Sequence, residues 1–538
     1  MSRKQRIIVS ITGIVLVSLI LIGLTYGYYM TKINGNNNNK SISVVTANIL
    51  LEYADINDEL ITDTKVEPGK SWTKTFVATN KGNKTVTYGV ALENVVNQFE
   101  RKDDIVYTLD CKQYSKTGFS IDKTNKTVTG TISGTCNGVS EETTFPSIGT
   151  ILVQNDITDD KAQVYTLVVT YKNVNENQNV DMNKTFSAKA NIVDPSQFNP
   201  YVNMPLKDVI VTSANTATTN SDTTRTTMGT TVTEFTSVSG ENEHVLNNAP
   251  DDYGTSYYFR GNVKDNYVTF ANKTWRIVRI NGDGSVRLVL DSSAGTSAFN
   301  SSSNDNAYIG YMYGTVGSTT YDATHKNIND STIKQKVDKW YEDNLKTNYA
   351  NYLSDTLFCN DKTLASNGIG GVTTQLGYGT NKTYYASTER LRYSSGTTDI
   401  TTAKPTFKCA ESETNDYSRF TVDVATLSNG NKTNGNLKYP IGLLSADEVS
   451  YAGAYKFGQT NESYYLYNSS TTYNWWWLSS PSYYDGSYAI EWNFRGSYGD
   501  FFNNSVDLTN DLRPSINLKA ELLVGGGDGT KSNPYVVR

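Results

Sequence analysis

The chain has only two histidines and no basic stripe beyond its first six residues, and these scarcities exclude several functions at once. With a net charge of −6, the electrostatic footprint of a nucleic-acid binder is missing, so no nucleic acid is expected as a partner. Neither His244 nor His325 belongs to an H-E-x-x-H motif or has a recognisable nucleophile beside it, and both read as solvated loop residues. There is no G-x-S-x-G elbow and no paired C-x-x-C. Gly69-Lys70-Ser71 is only the tail of a phosphate loop, because Thr64 stands where the first glycine belongs. Residues 507–511 and Asp528-Gly529 do not match a twelve-residue calcium loop. No catalytic residue, metal or cofactor is therefore expected, and the chain reads as a non-enzyme. A surface glycosidase stays as an alternative, since two converging carboxylates leave no local trace.

Cysteine is scarce too. Pairing the four by position, Cys111 with Cys136 and Cys359 with Cys409, would place one disulfide in each half. Two other pairings, and four free thiols, remain open.

What is abundant points to β-structure. There are 38 Tyr and 40 Gly among many Thr, Ser and Asn, with 37% hydrophobic residues, which suits strands and long polar loops. The fold class expected is mainly β with minor α. Residues 7–29 carry no charge, enough helix to span a roughly 30 Å hydrocarbon core. Arg3, Lys4 and Arg6 precede this run and only Lys32 follows closely, so residues 1–6 are expected as a cytoplasmic tail and the bulk of the chain outside. A cleaved signal peptide is disfavoured, because the apolar run exceeds a normal h-region and no clear A-x-A site follows it. The predicted localisation is the plasma membrane, single-pass.

Residues 30–40 read as a tether. Residues 41–194 offer alternating runs at 72–79, 85–92, 105–109, 127–132, 163–171 and 185–192, separated by turn signals such as Pro68-Gly69, which predicts an antiparallel β-sandwich. Through Pro68-Gly69, Trp72, Phe76, Asn80 and Gly82 this segment resembles the biofilm-fibre and camelysin-like proteins of Gram-positive bacteria. The resemblance implies a jelly-roll-like sandwich after a membrane-targeting helix. It carries over no protease activity, because the H-E-x-x-H motif is absent. A structural, fibre-forming surface protein assembling through the sandwich is the second functional alternative. Residues 195–241, rich in Thr, Ser and Asn, are expected as a linker, and residues 242–538 as the last domain.

In that domain, Trp275-Arg276-Ile277-Val278-Arg279-Ile280, the turn Asn281-Gly282-Asp283-Gly284 and the alternation over 286–290 predict a β-hairpin. Ile333, Val337, Trp340, Tyr341 and Leu345 recur at helical spacing, and Ser445 with Glu448 forms a capping box before a helix over 446–452. Together with Trp476-Trp477-Leu478-Ser479-Ser480-Pro481, Arg513-Pro514 and Gly527-Asp528-Gly529-Thr530, these segments resemble an uncharacterised surface-protein domain of gut Gram-positive bacteria. That family looks like a variant of the C-type lectin fold, which also frames the formylglycine-generating enzymes.

The resemblance implies that Trp476, Trp477, Pro481, Arg513 and Pro514 form a rigid floor beneath an exposed face at residues 482–511. That stretch is dense in Tyr, Ser, Gly, Asp, Asn and Phe, the palette of binding loops. The same palette arises from adenine-specific retroelement diversification. Tyr483, Tyr484, Asp485, Tyr488, Trp492, Asn493, Phe494, Arg495, Tyr498, Asp500 and Phe501 are thus expected to contact an extracellular protein or glycan.

Overall fold

The structure is a computed structural model that describes residues 41–43, 50–56, 67–97, 99–182, 184, 186–216, 245–393, 403–409, 417–454, 464–467, 475–496 and 498–538. The expected cytoplasmic tail, membrane helix and tether all lie outside the described residues. Among the described residues, no helix is long and apolar enough to cross a membrane. The chain is mainly β, built from several antiparallel sheets with minor helix. It divides into two compact units, Met1–Met204 and Pro205–Arg538.

In the first unit, one sheet runs Ser41–Ser43, Leu50–Asp55, Ser71–Asn80, Lys161–Tyr171, Ile105–Ser115. Ile132–Thr135 and Val139–Thr144 both pair with the last of these. A second sheet orders Thr150–Ile157, Val86–Asn97, Phe186–Val193. Period-2 alternation turns Trp72 and Phe76 inward from one sheet, and Tyr88 and Phe186 inward from the other, into a single core. The same alternation buries Lys74 completely. Its ammonium lies 2.9 Å from Asp55, which also accepts the Tyr53 hydroxyl at 2.5 Å.

The run expected at 127–132 is two strands: Thr127–Thr129 forms a small ribbon with Ser120–Asp122, and Ile132–Thr135 joins the main sheet. The unit also extends past residue 194, with Asn203 donating to Asn94 at 3.0 Å. Part of the stretch expected as linker is helix, Leu206–Thr216, within the second unit. Leu206, Val209 and Ile210, at helical spacing, are buried, and the Leu206 N–H donates to the Leu522 carbonyl at 2.9 Å. Three apolar residues on one face suffice to dock a helix that a Thr-rich average conceals.

The second unit holds a nine-stranded sheet through Ile441–Gly442, Ser515–Leu518, Val286–Leu290, Lys273–Ile280, Tyr267–Phe270, Tyr535–Val537 and Val524–Gly526. Val245–Pro250 and Thr255–Arg260 attach to it beside Lys273–Ile280. Both predicted helices are present, as Thr332–Asn344 capped by Ser331 and Ala446–Ala452 behind the Ser445 and Glu448 capping box. A six-stranded sheet carries the candidate site. Its order is Thr296–Ala298, Thr509–Asp511, Trp475–Tyr484, Ala489–Arg495, Asp500–Ser505, with Thr383–Tyr384 pairing beside Trp475–Tyr484.

Candidate functional site

The stretch expected to form an exposed face is largely strand, and both faces of its middle strand are covered. Trp492 and Phe494 point to one side and Glu491 and Asn493 to the other, and all four are 0% exposed. The Trp492 indole N–H donates to Ser387 Oγ at 3.0 Å, and Phe494 packs on Trp476 with ring centroids 4.9 Å apart. Tyr484 and Asp500 are buried as well. These five candidates, Tyr484, Trp492, Asn493, Phe494 and Asp500, are therefore interior residues and offer no surface to a ligand. Tyr483 and Arg495 are half-buried, while Asp485, Tyr488 and Tyr498 are exposed. The Phe501 side chain lies outside the described residues.

The accessible candidates separate to the two ends of the hairpin. One end is the turn after Trp475–Tyr484, where Asp485 Oδ1 accepts the N–H groups of Ser487 and Tyr488, each at 2.7 Å, and Gly486 takes φ 101°. Asp485 thus shapes the turn, and Tyr488 projects from it, 52% exposed. Tyr483 stacks on Tyr384 from a distant segment at 5.1 Å, with Tyr393 edge-on to Tyr384. Six residue steps along Ala489–Arg495, about 20 Å at 3.3 Å per residue, lead to the other end.

There Arg495 is the centre. Its Nε donates to Asp500 Oδ1 at 2.8 Å and its Nη2 to Asp500 Oδ2, a two-pronged clasp across the turn. Three rings surround the guanidinium, Tyr498 at 4.5 Å, Phe502 at 4.8 Å and Trp475 at 5.8 Å. Register explains the grouping: Arg495 pairs with Trp475 on one side and Asp500 on the other. Burial pushes the Asp500 carboxyl up, although Arg495 pulls it down. Trp475 and Phe502 escaped sequence reasoning; the only signal was their position beside the buried Trp476 and next to Phe501.

The resemblance also marks five residues as a floor. Trp476, Trp477, Pro481, Arg513 and Pro514 are all buried. The Trp477 indole donates to the Ser297 carbonyl at 2.9 Å, and the Arg513 guanidinium sits 4.8 Å over Trp476. Cys359 is bonded to Cys409 and Cys111 to Cys136, with no free cysteine among the described residues. The first of these bonds spans 50 residues, for which loop entropy gives about 4 kcal/mol. Cys359→Ser with Cys409→Ser should lower stability by about that amount in urea unfolding.

Two buried titratable groups lie under the sheet. His325 is fully buried, not solvated as expected; its Nε2 is 2.8 Å from the Gly377 carbonyl and 3.2 Å from the Tyr385 hydroxyl. Burial, reinforced by Lys362, pushes it down to about 3, so it stays neutral. Glu491 accepts the Gly310 N–H at 2.5 Å, and its second oxygen finds no hydrogen-bond partner among the described residues. Burial pushes its carboxyl well above the ordinary range. A raised folded value means that its contribution is full below the unfolded pKa and declines as pH rises towards the folded one. Glu491→Gln should therefore leave the melting temperature unchanged at pH 4 and raise it at pH 8, read by calorimetry.

Among the described residues, no group of three or more His, Cys, Asp or Glu is placed to hold a metal ion. Comparison with protein-family models, curated proteins and solved structures finds no match.

Proposed function

We propose that this is a membrane-anchored bacterial surface protein whose C-terminal unit binds an extracellular protein or glycan, and that the contact is made by Arg495 and the rings of Tyr498, Trp475 and Phe502. The observation that carries the reading is the Arg495 clasp. A guanidinium held by Asp500 and ringed by aromatics, with Tyr498 46% exposed beside it, presents the residue types that dominate interface energetics. It is also immobilised before a ligand arrives, so little side-chain entropy remains to be lost. The uncharged run at residues 7–29 supports the membrane anchor. The buried tryptophans under the hairpins support a C-type-lectin-like reading of the second unit, with a sandwich-like first unit carrying it outside the cell. In this reading, any retroelement diversification is confined to outward positions such as Tyr488 and Tyr498, because Trp492 and Phe494 are core.

Arg495→Ala in the full chain should weaken ligand binding by about 2 kcal/mol, or roughly 30-fold, as a central contact does. Isothermal titration against the ligand identified by a glycan and protein array measures it. A change of less than twofold would remove the patch from the interface.

A further inference from the structure

The second unit has another opening, which reaches the edge of the six-stranded sheet through Ser293 and Asp511 and is lined by none of the Arg495 patch. A cleft of about 390 Å³ lies between the turn that precedes Lys273–Ile280, the segment 290–294 that follows Val286–Leu290, and Trp340 on helix Thr332–Asn344. That volume is within the range of small-molecule sites.

The wall is an indole that the fold leaves partly uncovered. Trp340 is half-buried; the fully buried Trp275 meets it edge-on at 6.0 Å, and the Lys273 ammonium lies 5.6 Å from its ring. The polar groups around it keep free hydrogen-bonding capacity, although Asp291 also faces the buried Arg513 and Arg276 electrostatically. Asp291 is fixed through its backbone, its N–H donating to the Thr274 carbonyl at 3.0 Å, yet its half-buried carboxylate accepts no hydrogen bond among the described residues. Asn272 is exposed at φ 56°, and neither its amide nor the exposed Ser292 hydroxyl has a hydrogen-bond partner among those residues. Ser293, by contrast, is committed to Asp511 and to the Gly295 carbonyl.

An apolar platform with an acceptor, an amide, a hydroxyl and an ammonium around it matches one ligand chemistry. A pyranose ring offers a C–H face to an indole and hydroxyls that donate to a carboxylate and accept from an amide or ammonium. One cation and one anion share the cleft, so a net charge on the ligand would be repelled by one of them as it is attracted by the other. We infer that this cleft is a second recognition site, for a neutral pyranose residue of a glycan, with Trp340 as the stacking platform and Asp291 as the hydroxyl acceptor. It does not depend on the Arg495 patch.

Saturation-transfer NMR of the full chain with the methyl pyranosides of glucose, galactose, mannose and N-acetylglucosamine tests it, with glucuronate as the charged probe. Transfer to the ring C–H protons of at least one neutral pyranoside is expected. It should fall at least tenfold in Trp340→Ala and in Ser292→Tyr, and persist in Tyr498→Ala. Ser292→Tyr fills the cleft from an exposed position, so it reports on the site even where Trp340→Ala fails to fold. Transfer from none of the neutral sugars, transfer that survives Ser292→Tyr, or stronger transfer to glucuronate would each overturn the assignment.

Discussion

Glu448→Gln should destabilise the second unit by about 3–5 kcal/mol, the cost of removing one partner from a buried ion pair. The reason is how few acids serve the buried arginines beside it. Glu448 Oε1 accepts from Arg279 Nε at 3.0 Å and from Arg287 Nη1 at 2.7 Å, and Oε2 accepts the Ser445 N–H at 3.0 Å to close the capping box. Burial pushes the Glu448 carboxyl up, but Arg287 and Arg279 outweigh this and hold it below the ordinary range. Glutamine keeps the shape and an oxygen for the cap while removing the charge. Arg279 would still have Asp251 at 3.0 Å. Arg287 would not: among the described residues its remaining hydrogen-bond partners are the neutral Asn517 Oδ1 and the Leu357 carbonyl, with the uncharged Phe358 ring 4.3 Å away, and it is buried. Urea unfolding followed by tryptophan fluorescence measures the loss, and Glu448→Gln with Arg287→Met should recover part of it, because no unpaired charge then remains. A single-variant loss below 1 kcal/mol would show that water reaches Arg287. A depressed carboxyl contributes stability above its unfolded pKa that is lost as pH falls through the folded value, so acid should erase the difference between Glu448→Gln and the parent.

Trp492→Ala should cost about 3–5 kcal/mol of stability, the range for truncating a large buried aromatic, while Tyr488→Ala and Tyr498→Ala change it by less than about 0.5 kcal/mol. Trp492 is 0% exposed and its indole N–H is satisfied by Ser387, so truncation opens a cavity and strips a buried hydroxyl of its donor. Tyr488 and Tyr498 stand in solvent at two turns. Thermal melts of the three variants separate the roles: a melting temperature that drops for Trp492→Ala alone marks the inward positions as core. Equal melting temperatures for all three would place Trp492 at the surface.

The contrast between these positions shows what was legible in the sequence. The hairpin at 273–290 was, because Gly284 accepts φ 84° and the alternation on both sides is local. The helix over 332–344 and the capping box were legible for the same reason: spacing and caps are written within one turn of helix. Which residues of 482–505 face outward was not. Tyr, Ser, Asn and Phe serve a binding loop and a strand buried on both faces equally well, and only sheet order reveals that Ala489–Arg495 lies between two neighbours. Lys74 and Arg287 were hidden similarly, since their acids lie 19 and 161 positions away along the chain. Helix Leu206–Thr216 was lost in the composition of the Thr-rich stretch around it, although Leu206, Val209 and Ile210 already held its spacing.

We propose that the Arg495 end of the six-stranded sheet recognises an extracellular ligand. The most direct test is binding of the full chain to a glycan and host-protein array beside Arg495→Ala with Tyr498→Ala, with a melting curve recorded for each. The expected result is array signals that disappear in the double variant while it remains folded at the assay temperature, with a melting temperature lowered because the buried Asp500 loses Arg495. Array signals that persist in a double variant that is still folded would contradict it.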